Sequence, residues 1–250
     1  MPSSTTGEND ATNGLEYYPC ELAGLAASLR AAHASPLAHW VTISLAPYTG
    51  GAPLAPFRAM QCATTAAAIP NASCVSLVDG GDPLSPIGSV HSRNKQLVGR
   101  RVAAALSAAL YGAPALPTPG GAGPTFAGAA LHAAPSGALT AEVSFVPATL
   151  AGGPLVFVPP HTSPWSNSSR CPTETRVIQE GDCAWFTIIG SDGLAHNATV
   201  AVGAGGVTLL LAAQAPAGTA AAGTSWGWGA WPVVSYYNVA GAPMVPWHVV

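Results

Sequence analysis

His91 stands in Gly88-Ser89-Val90-His91-Ser92-Arg93-Asn94-Lys95, a turn-rich stretch that runs straight into an amphipathic segment. Imidazole is the side chain that exchanges protons near neutrality without help from its surroundings, so a histidine held there suits general acid–base chemistry. A loop histidine that only hydrogen-bonds to backbone is the competing reading. The loop itself opens with Asp79-Gly80-Gly81-Asp82-Pro83-Leu84-Ser85-Pro86-Ile87, rich in residues that break regular structure.

Two elements must position that loop. Before it, Val75-Ser76-Leu77-Val78 is apolar and β-branched and predicts a strand. After it, Val98, Val102, Leu106 and Leu110 recur four residues apart, joined by Ala105 and Ala109, and predict a helix. Ser92 or Asn94 caps its start, and Gly112 followed by Pro114 stops it. Further upstream, residues 20–33 read as a helix, 40–45 as a strand and the stretch around 57–65 as a second helix. Strand and helix in alternation imply a parallel sheet covered on both faces, and ligands of such sheets bind at the loops beyond the strand ends.

The character changes after a Pro/Gly-rich linker at 113–125. Residues 139–146, 155–158, 183–189, 199–202 and 207–211 are short β-type runs divided by turn residues, which suggests an antiparallel sandwich. The expected organisation is an α/β part over 1–112, the linker, and a β-rich part over 126–250. Near the end, Trp226, Trp228 and Trp231 lie among glycines. Core packing is the commoner use of such rings, and carbohydrate contact is the other.

Composition narrows the function classes. The 250 residues are 49% hydrophobic and only 8% charged, with a net charge of −3 and Lys95 as the sole lysine. That balance lacks the basic surplus phosphate backbones require, so no nucleic-acid partner is expected. The apolar run at 206–213 ends at Gln214 and Pro216, short of a bilayer span, so a soluble chain without a membrane partner is expected. Met1-Pro2-Ser3-Ser4-Thr5-Thr6 has neither the basic nor the apolar region of a secretory leader. The sequons Asn71-Ala72-Ser73, Asn167-Ser168-Ser169 and Asn197-Ala198-Thr199 nonetheless fit a glycosylating compartment.

Five cysteines, Cys20, Cys62, Cys74, Cys171 and Cys183, lack the spacings of zinc or haem sites, so neither a metal nor a cofactor is expected. Cys62 with Cys74 and Cys171 with Cys183 can each close a short loop, leaving Cys20 over. Free thiols in a reducing compartment are the alternative.

Three blocks, in order, resemble the C-terminal portion of the sialate O-acetylesterase family within the SGNH hydrolase superfamily. The first is Gly7-Glu8-Asn9-Asp10-Ala11 with Tyr18-Pro19-Cys20. The second joins Leu45-Ala46-Pro47-Tyr48 and Phe57-Arg58-Ala59-Met60-Gln61 to the stretch from Asp79 through His91 to Gln96. The third runs from Trp228-Gly229-Ala230-Trp231-Pro232 to Pro246-Trp247. Between residues 126 and 223 only the β character carries over. The resemblance implies a partial SGNH-type parallel sheet with flanking helices, followed by a sandwich-like β domain, and hydrolysis of acetyl esters on sugars, sialic acids above all. A secreted, lysosomal or other endomembrane location follows from the resemblance and the sequons.

The resemblance assigns His91 as the histidine that takes a serine's proton and hands it to the departing sugar oxygen. Gly7 and Asn9, or Asp10 in its place, match the oxyanion block, and Glu8 orders that loop. The superfamily's Asp-x-x-His is broken, since Gly88 stands three before His91; Asp82 or Asp79 is then the candidate to orient the ring, with turn formation as the alternative role. The family's Gly-Asp-Ser nucleophile block precedes the Gly-Glu block and is expected upstream of Met1, in a fuller gene product. Gly181-Asp182-Cys183 is only superficially similar to it. Missing upstream strands leave an expected open sheet edge. A non-catalytic sugar-binding or interaction module built on the β part and its tryptophans is the alternative function.

Overall fold

The computed structural model describes residues 3–4, 7–48, 54–112, 123–158 and 183–250. In the first half, β1 (Ser3–Ser4), α1 (Asp10–Asn13), α2 (Tyr18–Ala32), β2 (Trp40–Ile43), α3 (Leu54–Ala68), β3 (Ala72–Val75) and α4 (Lys95–Tyr111) follow in order. The three strands form a parallel sheet, β1-β2-β3, in which Trp40 aligns with Ala72 and Ile43 with Val75. Among the described strands β1 and β3 are therefore the outer ones.

Alternation along β2 sends its side chains to opposite faces. On one, Trp40 packs with Phe57 and Leu22, while Thr65 of α3 donates to Thr42 at 2.7 Å. On the other, Val41 and Val75 lie under Ala105, Val102 and Leu106 of α4. Helices thus cover both faces, as the alternating pattern predicts. The strand expected at 75–78 is displaced: β3 ends at Val75, and Val78 is instead fully buried in the core of the second half. Apolar β-branched residues there serve the junction between halves rather than the sheet.

Asn94 caps α4 by accepting from the Leu97 amide at 3.2 Å, and Gly112 closes the helix at φ +62°. Val102, Ala105 and Leu106 of the expected stripe pack on the sheet, while Ala109 and Leu110 at its end do not. Arg101 and Ala105 are the buried residues of the helix, and Leu110 is 41% exposed.

The second half contains β4 (Phe126–Ala133), β5 (Ala138–Phe145), β6 (Val156–Phe157), β7 (Cys183–Ala184), β8 (Phe186–Gly190), β9 (Ala195–Asn197), β10 (Thr199–Val202), β11 (Thr208–Gln214), β12 (Ala221–Trp226), β13 (Trp231–Pro232), β14 (Tyr236–Tyr237) and β15 (Trp247–Val249). Two four-stranded antiparallel sheets, β10-β11-β5-β4 and β15-β12-β8-β9, enclose one core. Leu139, Val143, Leu209 and Leu211 come from the first sheet, and Phe186, Ile188, Trp226 and Trp247 from the second. Each such side chain, fully buried, contributes roughly 1.5–3 kcal/mol.

The halves are joined by specific contacts. Arg58 of α3 donates to the carbonyls of Gly229 at 3.2 Å and Ala230 at 3.0 Å. Gly81 lies so close to Trp231 that an added Cβ would come within 2.7 Å of the ring. Cys62 and Cys74 form a disulfide between α3 and β3, while Cys20 is a free, exposed thiol. Cys171 lies outside the described residues, as do Asn167 and the Gly181-Asp182 pair. No described helix is long and apolar enough to cross a membrane.

Candidate functional site

The loop between β3 and α4 is rooted by two aspartate–arginine pairs. At its base, Arg101 of α4 donates to both carboxylate oxygens of Asp79, at 2.5 and 2.6 Å, and to the Ser76 carbonyl at 2.9 Å. Tyr237 of β14 adds a hydrogen bond to Asp79 at 3.2 Å. Burial and the adjacent carboxylate push the Tyr237 phenol well up, so it remains a donor. Farther out, Asp82, 1% exposed, accepts from Arg93 Nε at 2.6 Å, Nη2 at 2.9 Å and the backbone amide at 3.1 Å. Burial alone would raise the Asp82 carboxyl; the Arg93 side-chain and backbone hydrogen bonds outweigh it and hold the group below its ordinary value.

Between Asp82 and Arg93 the backbone folds into successive tight turns. Ser85 donates to the Asp82 carbonyl at 3.2 Å, Gly88 to Ser85 at 3.1 Å and His91 to Gly88 at 2.9 Å. The Ser85 hydroxyl then donates to the His91 carbonyl at 2.7 Å. His91 is thus held at both its amide and its carbonyl, while its residue surface is exposed. Gly88 sits at φ +99°, a conformation that L side chains rarely adopt. A side chain at position 88, an aspartate included, would be strained there.

His91 faces a cleft of about 650 Å³ at the end of the parallel sheet. Glu8, Tyr48, Leu45, Gly80 and Asn94 line it as well. The Gly-Glu-Asn-Asp block and the histidine block, far apart in sequence, therefore meet at one opening. Glu8 is held there by its carbonyl, which accepts from Tyr48 Oη at 3.0 Å. Burial and the Glu8 carboxylate raise the Tyr48 phenol, with Arg58 opposing.

Gly7 lies behind the cleft, buried, at φ +136°. An added Cβ there would reach the Phe57 ring at 2.8 Å and Gln61 Nε2 at 3.3 Å, so the position requires glycine on both counts. Its carbonyl accepts from the Ala11 amide at 2.8 Å. Asn9 is exposed at the start of α1, and its side chain does not cap that helix. Asp10 is the first residue of α1. Gln61, wholly buried, donates to Tyr18 Oη at 3.1 Å and accepts from the Leu45 amide at 3.0 Å, fixing the floor between these loops.

Of the predicted site residues, His91 lines the cleft together with Glu8, whereas Gly7, Asn9 and Asp82 are not among its lining residues. The structure engages Asp82 with Arg93 and Asp79 with Arg101 and Tyr237. Sequence reasoning passed over Arg93, Arg101, Gln61 and Tyr237. A usable signal existed: in a chain with only 8 Lys and Arg residues, four of them (Arg93, Lys95, Arg100 and Arg101) fall within 22 positions after the Asp79 and Asp82 pair. Trp226 and Trp231, the candidate sugar platforms, are fully buried, whereas Trp228 is half-buried and stacks on His248 at 5.3 Å.

No family model and no curated protein matches the chain. Among solved structures, a carbohydrate acetylesterase from Xanthomonas citri is similar in fold, with a TM-score of 0.68 and 24% identity. The match covers 98% of this chain and 49% of that one, so the chain spans about half the length of its solved neighbour.

Proposed function

We propose that this chain is the C-terminal portion of a carbohydrate O-acetylesterase of SGNH type, acting on O-acetylated sugars and on sialic acids in particular. The observation that carries the reading is the shared cleft: an exposed histidine on a braced loop lines the same opening as Glu8 of the Gly-Glu-Asn-Asp block. The acetylesterase likeness in fold agrees with it, and so does the motif order.

In this reading His91 is the general base and then the general acid. A serine attacks the acetyl carbonyl and its proton passes to the imidazole; the sugar oxygen leaves with that proton, and water repeats the sequence on the acyl-enzyme to release acetate. Gly7 and Asn9 supply the oxyanion donors, Gly7 by close approach of backbone and Asn9 by its amide. Asp82 supports the histidine through the loop rather than by a direct bond. The serine belongs to a Gly-Asp-Ser block upstream of residue 7. The Cys62–Cys74 disulfide supports placing the protein in a secretory or lysosomal compartment.

The test is acetate release by the whole protein, upstream sequence included, from O-acetylated sialic acid and from acetylated neutral sugars. Hydrolysis of the sialic acid ester is expected, with slower turnover of the neutral sugars. No acetate from any acetylated sugar contradicts the proposal. Faster turnover of the neutral sugars removes only the sialic acid preference.

A further inference from the structure

We propose that Arg93 is a positioning residue for His91, acting through Asp82; this rests on the reading of His91 given above. The guanidinium and the Arg93 amide together place three N–H bonds on one buried carboxylate, tying together two residues 11 positions apart. A closed arc results. Inside it, the Ser85 and Gly88 contacts hold the His91 backbone, and those contacts follow the same turns that the clamp closes.

The loop's composition shows why a clamp is needed. Leu84 and Ile87 are 62% and 71% exposed, so apart from Val90, which packs against the core of the first half, the arc has little apolar burial to hold its shape. Its root is already fixed by Asp79, Arg101 and Tyr237, and the outer pair closes the arc beyond that root. The Arg93 side chain is itself 40% exposed, a position from which it adds little to global stability yet sets local geometry. Where a catalytic group is misplaced by an ångström, rates fall steeply.

The experiment compares the whole protein with Arg93→Met and Arg93→Lys variants in two measurements. Amide hydrogen exchange is followed over residues 85–92, and kcat and KM are measured for acetate release. Arg93→Met is expected to speed exchange at Gly88 and His91 while amides of β8 keep their protection. It also lowers kcat roughly 10- to 100-fold with KM little changed, because proton transfer and not sugar binding loses its alignment. Arg93→Lys retains the charge but not the fork, and restores part of the rate.

Unchanged exchange over the arc in an active enzyme overturns the clamp. Faster exchange with kcat unchanged overturns the positioning role. A wild-type protein that hydrolyses no acetyl ester overturns the assignment of His91 and the positioning role with it, and it is told apart from failure of the clamp because exchange needs no turnover.

Discussion

In the parallel-sheet half, Asp79, Asp82, Arg58 and Arg101 are all buried, each with named hydrogen-bond partners. In the sandwich half the interior is aromatic and aliphatic, centred on Phe186, whose ring lies 5.9 Å from Trp226 and from Tyr236 and 6.1 Å from Trp247. Its described ion pair, Asp192 with His196, sits on a hairpin turn. The contrast has a physical cause. Apolar packing is non-directional and holds mass together, whereas a loop that must present one exposed imidazole needs directional bonds that fix angles. The sandwich half reaches into that frame through Tyr237 on Asp79 and Trp231 against Gly81, so it braces the site.

Breaking a charged strut should have the largest effect. Arg101→Met leaves Asp79 buried without its fork, and the protein should lose about 3–5 kcal/mol in urea unfolding, the usual result of removing one partner of a buried pair. If the loss is below about 1 kcal/mol, the buried pair is not what holds the loop root. Gly7→Ala comes next: the left-handed backbone and the Phe57 contact together should destabilise by about 1–3 kcal/mol, and a crystal structure of the variant should show Phe57 displaced.

Tyr237→Phe sharpens the comparison at the junction. It removes the Tyr237 hydroxyl that bonds Asp79 across the halves, and about 0.5–1.5 kcal/mol should be lost, with no change in the sandwich core by tryptophan fluorescence.

The smallest effect concerns acid. The folded Asp82 carboxyl lies below its unfolded value of about 3.9, so its contribution is complete above that value and is lost as pH falls through the folded pKa. Hydrogen exchange over residues 85–92 should accordingly be independent of the clamp's ionisation from neutrality down to mild acid and loosen only below about pH 4, once the intrinsic pH dependence of exchange is divided out.

Regular elements with sharp punctuation were legible in the residues. Helix α4 starts at Asn94, one of the two candidate caps, and stops at Gly112, and the disulfide joins Cys62 and Cys74, one of the two pairs whose spacing allowed a short loop. Strand β4 was not legible, because Phe126-Ala127-Gly128-Ala129-Ala130 carries no period-2 signal and gains its place from seven residues of pairing with β5. The short strands at 221–226 and 247–249 were hidden among tryptophans and glycines for the same reason. In the site, His91 stood out by type and neighbours, and Gly7 only through the family resemblance. The arginines did not, since Arg93 in a turn-rich loop and Arg101 on an amphipathic helix each read as solvent-facing until a distant carboxylate is placed beside it.

The most direct test of the central claim, that the exposed His91 imidazole carries the proton, is the turnover number of the whole protein with His91→Ala beside the unsubstituted enzyme. The account predicts that acetate release falls roughly 10²- to 10⁴-fold while the melting temperature stays the same, because the ring faces solvent and the loop is held by other groups. Turnover equal to that of the unsubstituted enzyme would contradict it.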